Sequence, residues 1–170
     1  MIPLITADNL SKAYGEQVLF TEASFRINPG ERIGLVGRNG YGKTTLLRLI
    51  TGEEEPDQGS ISFPKHYTVG YLKQHLKFTR PTLLEEACLG LPPGQHDESW
   101  RVEKILFGLG FSKEDFARPP EEFSGGFQVR LNLAKVLAAE PNLLLLDEPS
   151  NYLDITSIRW LVRFLQAWKN

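Results

Sequence analysis

A single cysteine, Cys88, in 170 residues excludes any internal disulfide and any Cys-based zinc or iron–sulfur framework. Neither sign of charge is in excess: 19 basic and 21 acidic side chains leave a net charge of −2. That balance gives no global argument for a nucleic-acid partner. Long hydrophobic runs are missing too. The longest uninterrupted aliphatic stretch, Leu143-Leu144-Leu145-Leu146, falls far short of the roughly 20 residues that span a bilayer. No charged-then-apolar leader opens the chain, which argues against secretion. No internal repeat or low-complexity tract is visible. The length suits one domain that buries about 70% of the surface its unfolded chain would expose. The composition therefore reads as a globular, cytoplasmic domain without direct membrane insertion.

The first 30 residues predict short antiparallel strands, Leu4–Leu10 and Ala23–Ile27, the second ending at the Asn28-Pro29-Gly30 turn. The apolar run Arg32-Ile33-Gly34-Leu35-Val36 predicts a strand that stops at a glycine-rich loop, and Thr44–Thr51 predicts a short helix ending at Gly52. Ser60–Phe63 and Thr68–Tyr71 read as two further strands. From about residue 75 to 122 the character changes, with prolines at 81, 92, 93, 119 and 120 and two helices around Leu83–Cys88 and Glu98–Leu109. This stretch reads as a small inserted helical subdomain within a domain spanning 1–170. A helix over Gly126–Ala139, a buried strand Leu143–Leu146 and a final helix over Ile155–Trp168 follow, the last with an apolar stripe at Ile158, Leu161, Leu165 and Trp168. The expected class is α/β with a mixed central sheet.

Gly37-Arg38-Asn39-Gly40-Tyr41-Gly42-Lys43-Thr44 matches G-x-x-x-x-G-K-[ST] between an expected strand and an expected helix, the context of a phosphate-binding loop. Glycines let the backbone curl so that successive N–H groups point at phosphate oxygens. The helix that starts near Lys43 adds its positive dipole end. Lys43 would reach the β- and γ-phosphates, the Thr44 hydroxyl would ligate Mg²⁺, and residues 37–45, Thr45 included, would hold the phosphates. Downstream, an aliphatic strand delivers Asp147-Glu148. There Asp147 can hold Mg²⁺ through water and Glu148 can polarise an attacking water. Taken alone, an apolar run that ends in two acids is an ordinary strand end.

Between the two motifs lies Phe123-Ser124-Gly125-Gly126-Phe127-Gln128, followed by Arg130. Read by itself this is a Ser-capped helix start. With the phosphate loop and the acid pair it resembles the signature of the ATP-binding-cassette (ABC) ATPases, usually written LSGGQ, and the resemblance covers essentially the whole chain. It implies a P-loop fold of the ABC type, with an N-terminal antiparallel β subdomain and an inserted helical subdomain at 75–122. It also implies a head-to-tail dimer in which Ser124, Gly125 and Gly126 bind the γ-phosphate held by a second cassette. Phe127 departs from the motif's glutamine. Tyr14 in Lys12-Ala13-Tyr14-Gly15 is placed like the family's adenine-stacking aromatic. Gln74 resembles the glutamine that touches Mg²⁺ and couples to the helical subdomain. Ser150-Asn151-Tyr152-Leu153-Asp154 resembles the loop that crosses the dimer interface.

The phrases Gly34-Leu35-Val36-Gly37-Arg38-Asn39-Gly40 and Glu148-Pro149-Ser150-Asn151-Tyr152-Leu153-Asp154 resemble the ABC-F branch, whose members carry two cassettes, lack membrane domains and act on ribosomes. The chain looks like the first cassette. The interval from Gln74 to Ser124 leaves little room for the long helical arm that many members carry. The implied function is MgATP binding, with hydrolysis to ADP and phosphate in a cassette pair as a conformational switch. The energising subunit of a transporter and a non-hydrolysing nucleotide-dependent interaction module stand as alternatives. The family's switch histidine lies on a strand beyond the helix after Asp154, and this sequence ends at Trp168-Lys169-Asn170. The resemblance thus implies a cassette incomplete at its C-terminus. Its ATPase activity alone would be negligible, and its sheet would be weakened or completed by a swapped strand or a neighbouring chain. His66, His75 and His96 lack metal-like spacing and read as surface residues. Trp100, Trp160 and Trp168 read as packing residues, Cys88 as a small core residue, and Glu53-Glu54-Glu55 as a solvated turn.

Overall fold

A computed structural model describes residues 4–72, 77–95 and 97–168. The chain divides into two compact units, one up to Val69 and one from Gly70 onward. Gln74, His75 and His96 lie outside the described residues.

The first unit opens with two long antiparallel strands, β1 (Ile5–Tyr14) and β2 (Gln17–Ile27). They run from the pair Ile5–Ile27 to the pair Tyr14–Gln17, across a tight turn at Gly15-Glu16. Ile5, Ala7 and Leu10 of β1 are buried. Asn28 and Glu31 then close the next turn, the Asn28 backbone N–H and side-chain amide each donating to the Glu31 carboxylate at 2.8 Å. Helix α1 (Lys43–Thr51) ends at Gly52, whose φ of 72° lets its N–H turn back to the carbonyls of Arg48 and Leu49. Strand β3 (Gln58–Ser62) returns along β1, giving the sheet order β2-β1-β3.

The apolar run 32–36 overturns its expectation, because it is not a strand. Ile33, Leu35 and Val36 are 61%, 46% and 94% exposed. A strand exists only where another chain segment answers its N–H and C=O groups, and among the described residues no strand pairs with 32–36. Its hydrophobic pattern is a necessary condition that nothing beside it completes.

Strand β4 (Val69–Tyr71) begins at the boundary, and the second unit contains the rest of it with α2 (Leu83–Cys88), α3 (Ser99–Gly108), α4 (Gly125–Ala138), β5 (Leu143–Leu145) and α5 (Ile155–Ala167). Short 3₁₀ turns at Glu114–Ala117, Pro120–Glu122 and Pro149–Tyr152 fill the connections. Strands β4 and β5 pair as a separate two-stranded sheet. The strand expected over Leu143–Leu146 is therefore one residue shorter, and only Leu145 of it is buried. Thr82 caps α2 by accepting from the Glu85 N–H at 3.3 Å, and Asp154 caps α5 by accepting from the Ser157 N–H at 2.8 Å.

The core of this unit is helical: Leu83, Val102, Leu106, Leu109, Leu131 and Leu137 are at most 1% exposed. Each such side chain contributes about 1.5–3 kcal/mol relative to an exposed one. Glycines permit the helices to meet this closely. A Cβ on Gly90 would lie 2.2 Å from the Lys135 carbonyl oxygen of α4, and one on Gly108 would lie 1.9 Å from the Trp160 ring of α5. Trp160 and Trp168 pack as expected, each against Phe164 at 5.0 and 5.5 Å between ring centroids. Trp100 does not, because it faces outward and is 63% exposed. Cys88 is half-buried at the core margin. Its thiol is pushed up by burial and then by the nearby carboxylates of Glu103 and Glu85.

Candidate functional site

Residues 37–42 lead directly into α1. Gly42 stands at the helix N-cap with φ 90°, a conformation that costs other residues a strained backbone. No side chain caps this end, and its first turn holds no acid. Residues 32–52 contain Arg32, Arg38, Lys43 and Arg48 and no Asp or Glu at all. The Lys43 ammonium folds across the loop, donating to the Gly37 carbonyl at 2.9 Å, the Arg38 carbonyl at 3.3 Å and Asn39 Oδ1 at 3.2 Å. A helix N-terminus, an ammonium group and a loop without acids are what a polyphosphate requires. The donors fit the ligand.

The β1–β2 turn is tied to this loop. Gln17 Nε2 donates to the Gly40 carbonyl at 3.1 Å, and the Leu19 and Phe20 side chains lie against Gly42. Tyr14 pairs with Gln17 across the same turn. Sequence reasoning missed Gln17, since a glutamine after a tight turn carries no motif. It also misread Glu54. The turn after α1 is there, with Glu53 and Glu55 exposed, but Glu54 within it is half-buried: its carboxylate accepts from the Tyr14 hydroxyl and pairs with Lys12 at 3.2 Å.

In the second unit, Ser124 is the N-cap of α4, yet its hydroxyl makes no capping bond. The expected Ser cap is absent, which leaves the hydroxyl and the first-turn N–H groups for other use. A Cβ on Gly125 or Gly126 would meet nothing within 4 Å. Internal packing therefore does not explain these glycines. Phe127 turns inward, its ring 5.2 Å from Phe111 and 4.5 Å from the Arg130 guanidinium. Arg130 donates to the Tyr152 carbonyl at 2.8 Å, the Leu109 carbonyl at 3.0 Å and Asp154 at 3.0 Å. Signature helix and 149–154 loop are thereby joined within this unit. The Ser157 N–H, followed by Arg130, holds the Asp154 carboxyl below its ordinary range against the opposing effect of desolvation.

Asp147 follows β5 and is half-buried, while Glu148 is exposed with φ 46°. The Asn151 side-chain amide donates to the Glu148 carboxylate at 2.9 Å. No group of three or more His, Cys, Asp or Glu side chains converges among the described residues. Mg²⁺ takes one or two protein oxygens and completes its shell with water and phosphate. Thr44 of the first unit carries a hydroxyl oxygen and Asp147 of the second a carboxylate.

The chain matches the ABC transporter family profile over residues 20–151. It is 35% identical to the "Probable ATP-binding protein YheS" of Escherichia coli K12, over 98% of this chain and 31% of that protein. It is 33% identical to the "Uncharacterized ABC transporter ATP-binding protein YfmM" of Bacillus subtilis, over 98% and 40% respectively. The "ABC transporter F family member 5" of Arabidopsis thaliana is 32% identical over 95% and 30%. The chain thus spans between 30% and 40% of the length of these curated relatives. Among solved structures, the ATP-binding subunit of an ABC transporter superposes with a TM-score of 0.82 at 25% identity, over 98% of this chain and 75% of that one.

Proposed function

Because the chain belongs to the ATP-binding-cassette family, with curated relatives in its F branch, we propose that it binds MgATP and, paired head to tail with a second cassette, hydrolyses it to ADP and phosphate as a conformational switch. The observation that carries this reading is the uncapped, acid-free start of α1 with Lys43 across the loop. Tyr14 stacks the base. Residues 37–45 hold the phosphates by backbone N–H groups, with Lys43 on the terminal ones. Thr44, Asp147 and Gln74 are the oxygen donors for the metal. Bound Mg²⁺ supplies charge neutralisation at the β- and γ-phosphates. Glu148 holds the attacking water, and the open corner at Ser124, Gly125 and Gly126 receives the γ-phosphate of a nucleotide seated on the other cassette. Residues 75–122 act as the helical subdomain that carries this corner.

Under this assignment a lone 170-residue chain turns over ATP negligibly, for two reasons. Its signature corner serves a nucleotide held elsewhere, and among the described residues the run 32–36 that leads into the phosphate loop has no strand beside it. Phosphate release at saturating MgATP checks this, and turnover matching that of an intact cassette pair sinks it.

The physiological setting we favour is a ribosome-associated, cytoplasmic protein. What supports it is the resemblance to the F branch, to which two of the relatives belong by name. The likeness to a transporter's ATP-binding subunit favours the second reading, an energising subunit. The whole protein carrying Glu148→Gln, trapped with ATP, is expected in the ribosomal pellet after sedimentation of a lysate. Recovery with membranes and a polytopic partner makes it a transporter subunit. Retained ATP affinity without turnover in an intact pair makes it a non-catalytic interaction module.

A further inference from the structure

We propose that Glu54 is a positioning residue for the nucleobase: by holding the Tyr14 hydroxyl it fixes the ring as a one-sided stacking platform. The inference rests on the reading of Tyr14 as the base-stacking residue and adds what orients it. Lys12 and Tyr14 both belong to β1, where a register shift falls between Lys12 and Ala13. The Lys12 ammonium lies 5.5 Å from the Tyr14 ring centroid. It is itself held by Glu54 at 3.2 Å, Asp57 at 3.3 Å and the Glu55 carbonyl at 2.8 Å. One face of the ring is thus taken by a cation, while the residue stays 48% exposed, leaving the other face for a flat ligand.

The Tyr14 hydroxyl is spent on the Glu54 carboxylate. That hydrogen bond, opposed by desolvation and reinforced by Lys12, keeps the carboxyl below its ordinary range, so it is an acceptor at neutral pH. With the hydroxyl engaged, the ring is left its π face for recognition, and a base is read by stacking. Glu54 itself belongs to the turn that ends α1, its N–H donating to the Arg48 carbonyl at 3.3 Å. The turn carrying Gln17 grips the loop that begins α1, at Gly40. The same helix therefore spaces the ring from both ends, with the phosphate loop at its start and Glu54 at its finish. A base and a triphosphate on one ligand need that spacing held.

The test compares calorimetric affinities of the 170-residue chain for MgATP and for magnesium tripolyphosphate, which carries the phosphates without a base. Tyr14→Ala is expected to lose about tenfold for ATP and nothing for tripolyphosphate. Tyr14→Phe and Glu54→Ala are each expected to lose about threefold to tenfold for ATP only. The double variant loses no more than either single one, and Glu54→Gln, which keeps an acceptor, recovers most of the affinity. If Tyr14→Ala weakens ATP while Tyr14→Phe and Glu54→Ala bind as wild type, Glu54 does not position the ring and base stacking stands. If Tyr14→Ala changes nothing, the stacking reading itself falls. Equal losses for ATP and tripolyphosphate in Glu54→Ala mark damage to the unit and overturn the positioning role.

Discussion

Lys43→Ala is expected to abolish MgATP binding, whereas Glu148→Gln leaves the affinity within about twofold of wild type. Under the proposed function the two side chains do different work on different elements. Lys43 spans the phosphate loop, bonded to oxygens of Gly37, Arg38 and Asn39. Its loss removes both the ammonium that meets the ground-state phosphates and the strut that shapes the loop. Hydrogen bonds to a charged group contribute about 1.5–3 kcal/mol each, so two lost contacts weaken binding at least about 100-fold. Glu148 is exposed beyond β5 and bonded to Asn151 at 2.9 Å. Glutamine keeps its shape and an acceptor, and bears the same cost at φ 46°. What it lacks is the charge that polarises water, which matters in the transition state and little before it. Calorimetric titration with MgATP decides the matter. Equal affinity losses in both variants would overturn the division of labour.

The second large effect concerns stability. Glu86 is fully buried, and its carboxylate accepts from the Thr79 N–H at 2.8 Å, the Thr79 hydroxyl at 3.3 Å and the Arg80 N–H at 3.0 Å. It also pairs with Lys135 of α4. Glu86→Ala leaves that ammonium and two backbone donors without their acceptor, and is expected to cost about 3–5 kcal/mol. Glu86→Leu with Lys135→Met removes both charges and recovers part of the loss, because no charge is then buried alone. Burial by itself raises the Glu86 pKa. Lys135 and the Thr79 and Arg80 N–H groups outweigh it, so the folded value lies below the ordinary 4.5. The stabilisation is therefore complete above the unfolded pKa and is lost as pH falls through the folded one. Urea midpoints measured from neutral pH down through the carboxylate range should fall for wild type, while Glu86→Leu/Lys135→Met lacks this component. Identical pH profiles would remove Glu86 from the acid response.

Local chemistry made much of this protein legible. Helix α2 falls on Leu83–Cys88 as expected, and α4 starts one residue before the expected Gly126. The phosphate loop was readable because its demands are local: glycines for positive φ, a lysine and a hydroxyl at fixed offsets, and a helix to follow. The same holds for the acids after an aliphatic strand. Glu54 was read as a solvated turn because its role depends on Tyr14, forty positions away, and on the return of the chain beside β1.

The sequence by itself determined the family, the phosphate loop and the helical character of the second unit, since each is written in residues a few positions apart. Only the tertiary structure decided that among the described residues 32–36 has no strand to pair with, since hydrogen bonding in a sheet belongs to two segments and hydropathy to one. It alone turned Phe127 into the aromatic cluster and left Ser124 uncapping, because rotamers answer to neighbours. It alone put Gln17 on the phosphate loop and Glu86 under Lys135. Those pairings join residues 23 and 49 positions apart, a separation over which local pattern carries no information and only the folded path of the chain does.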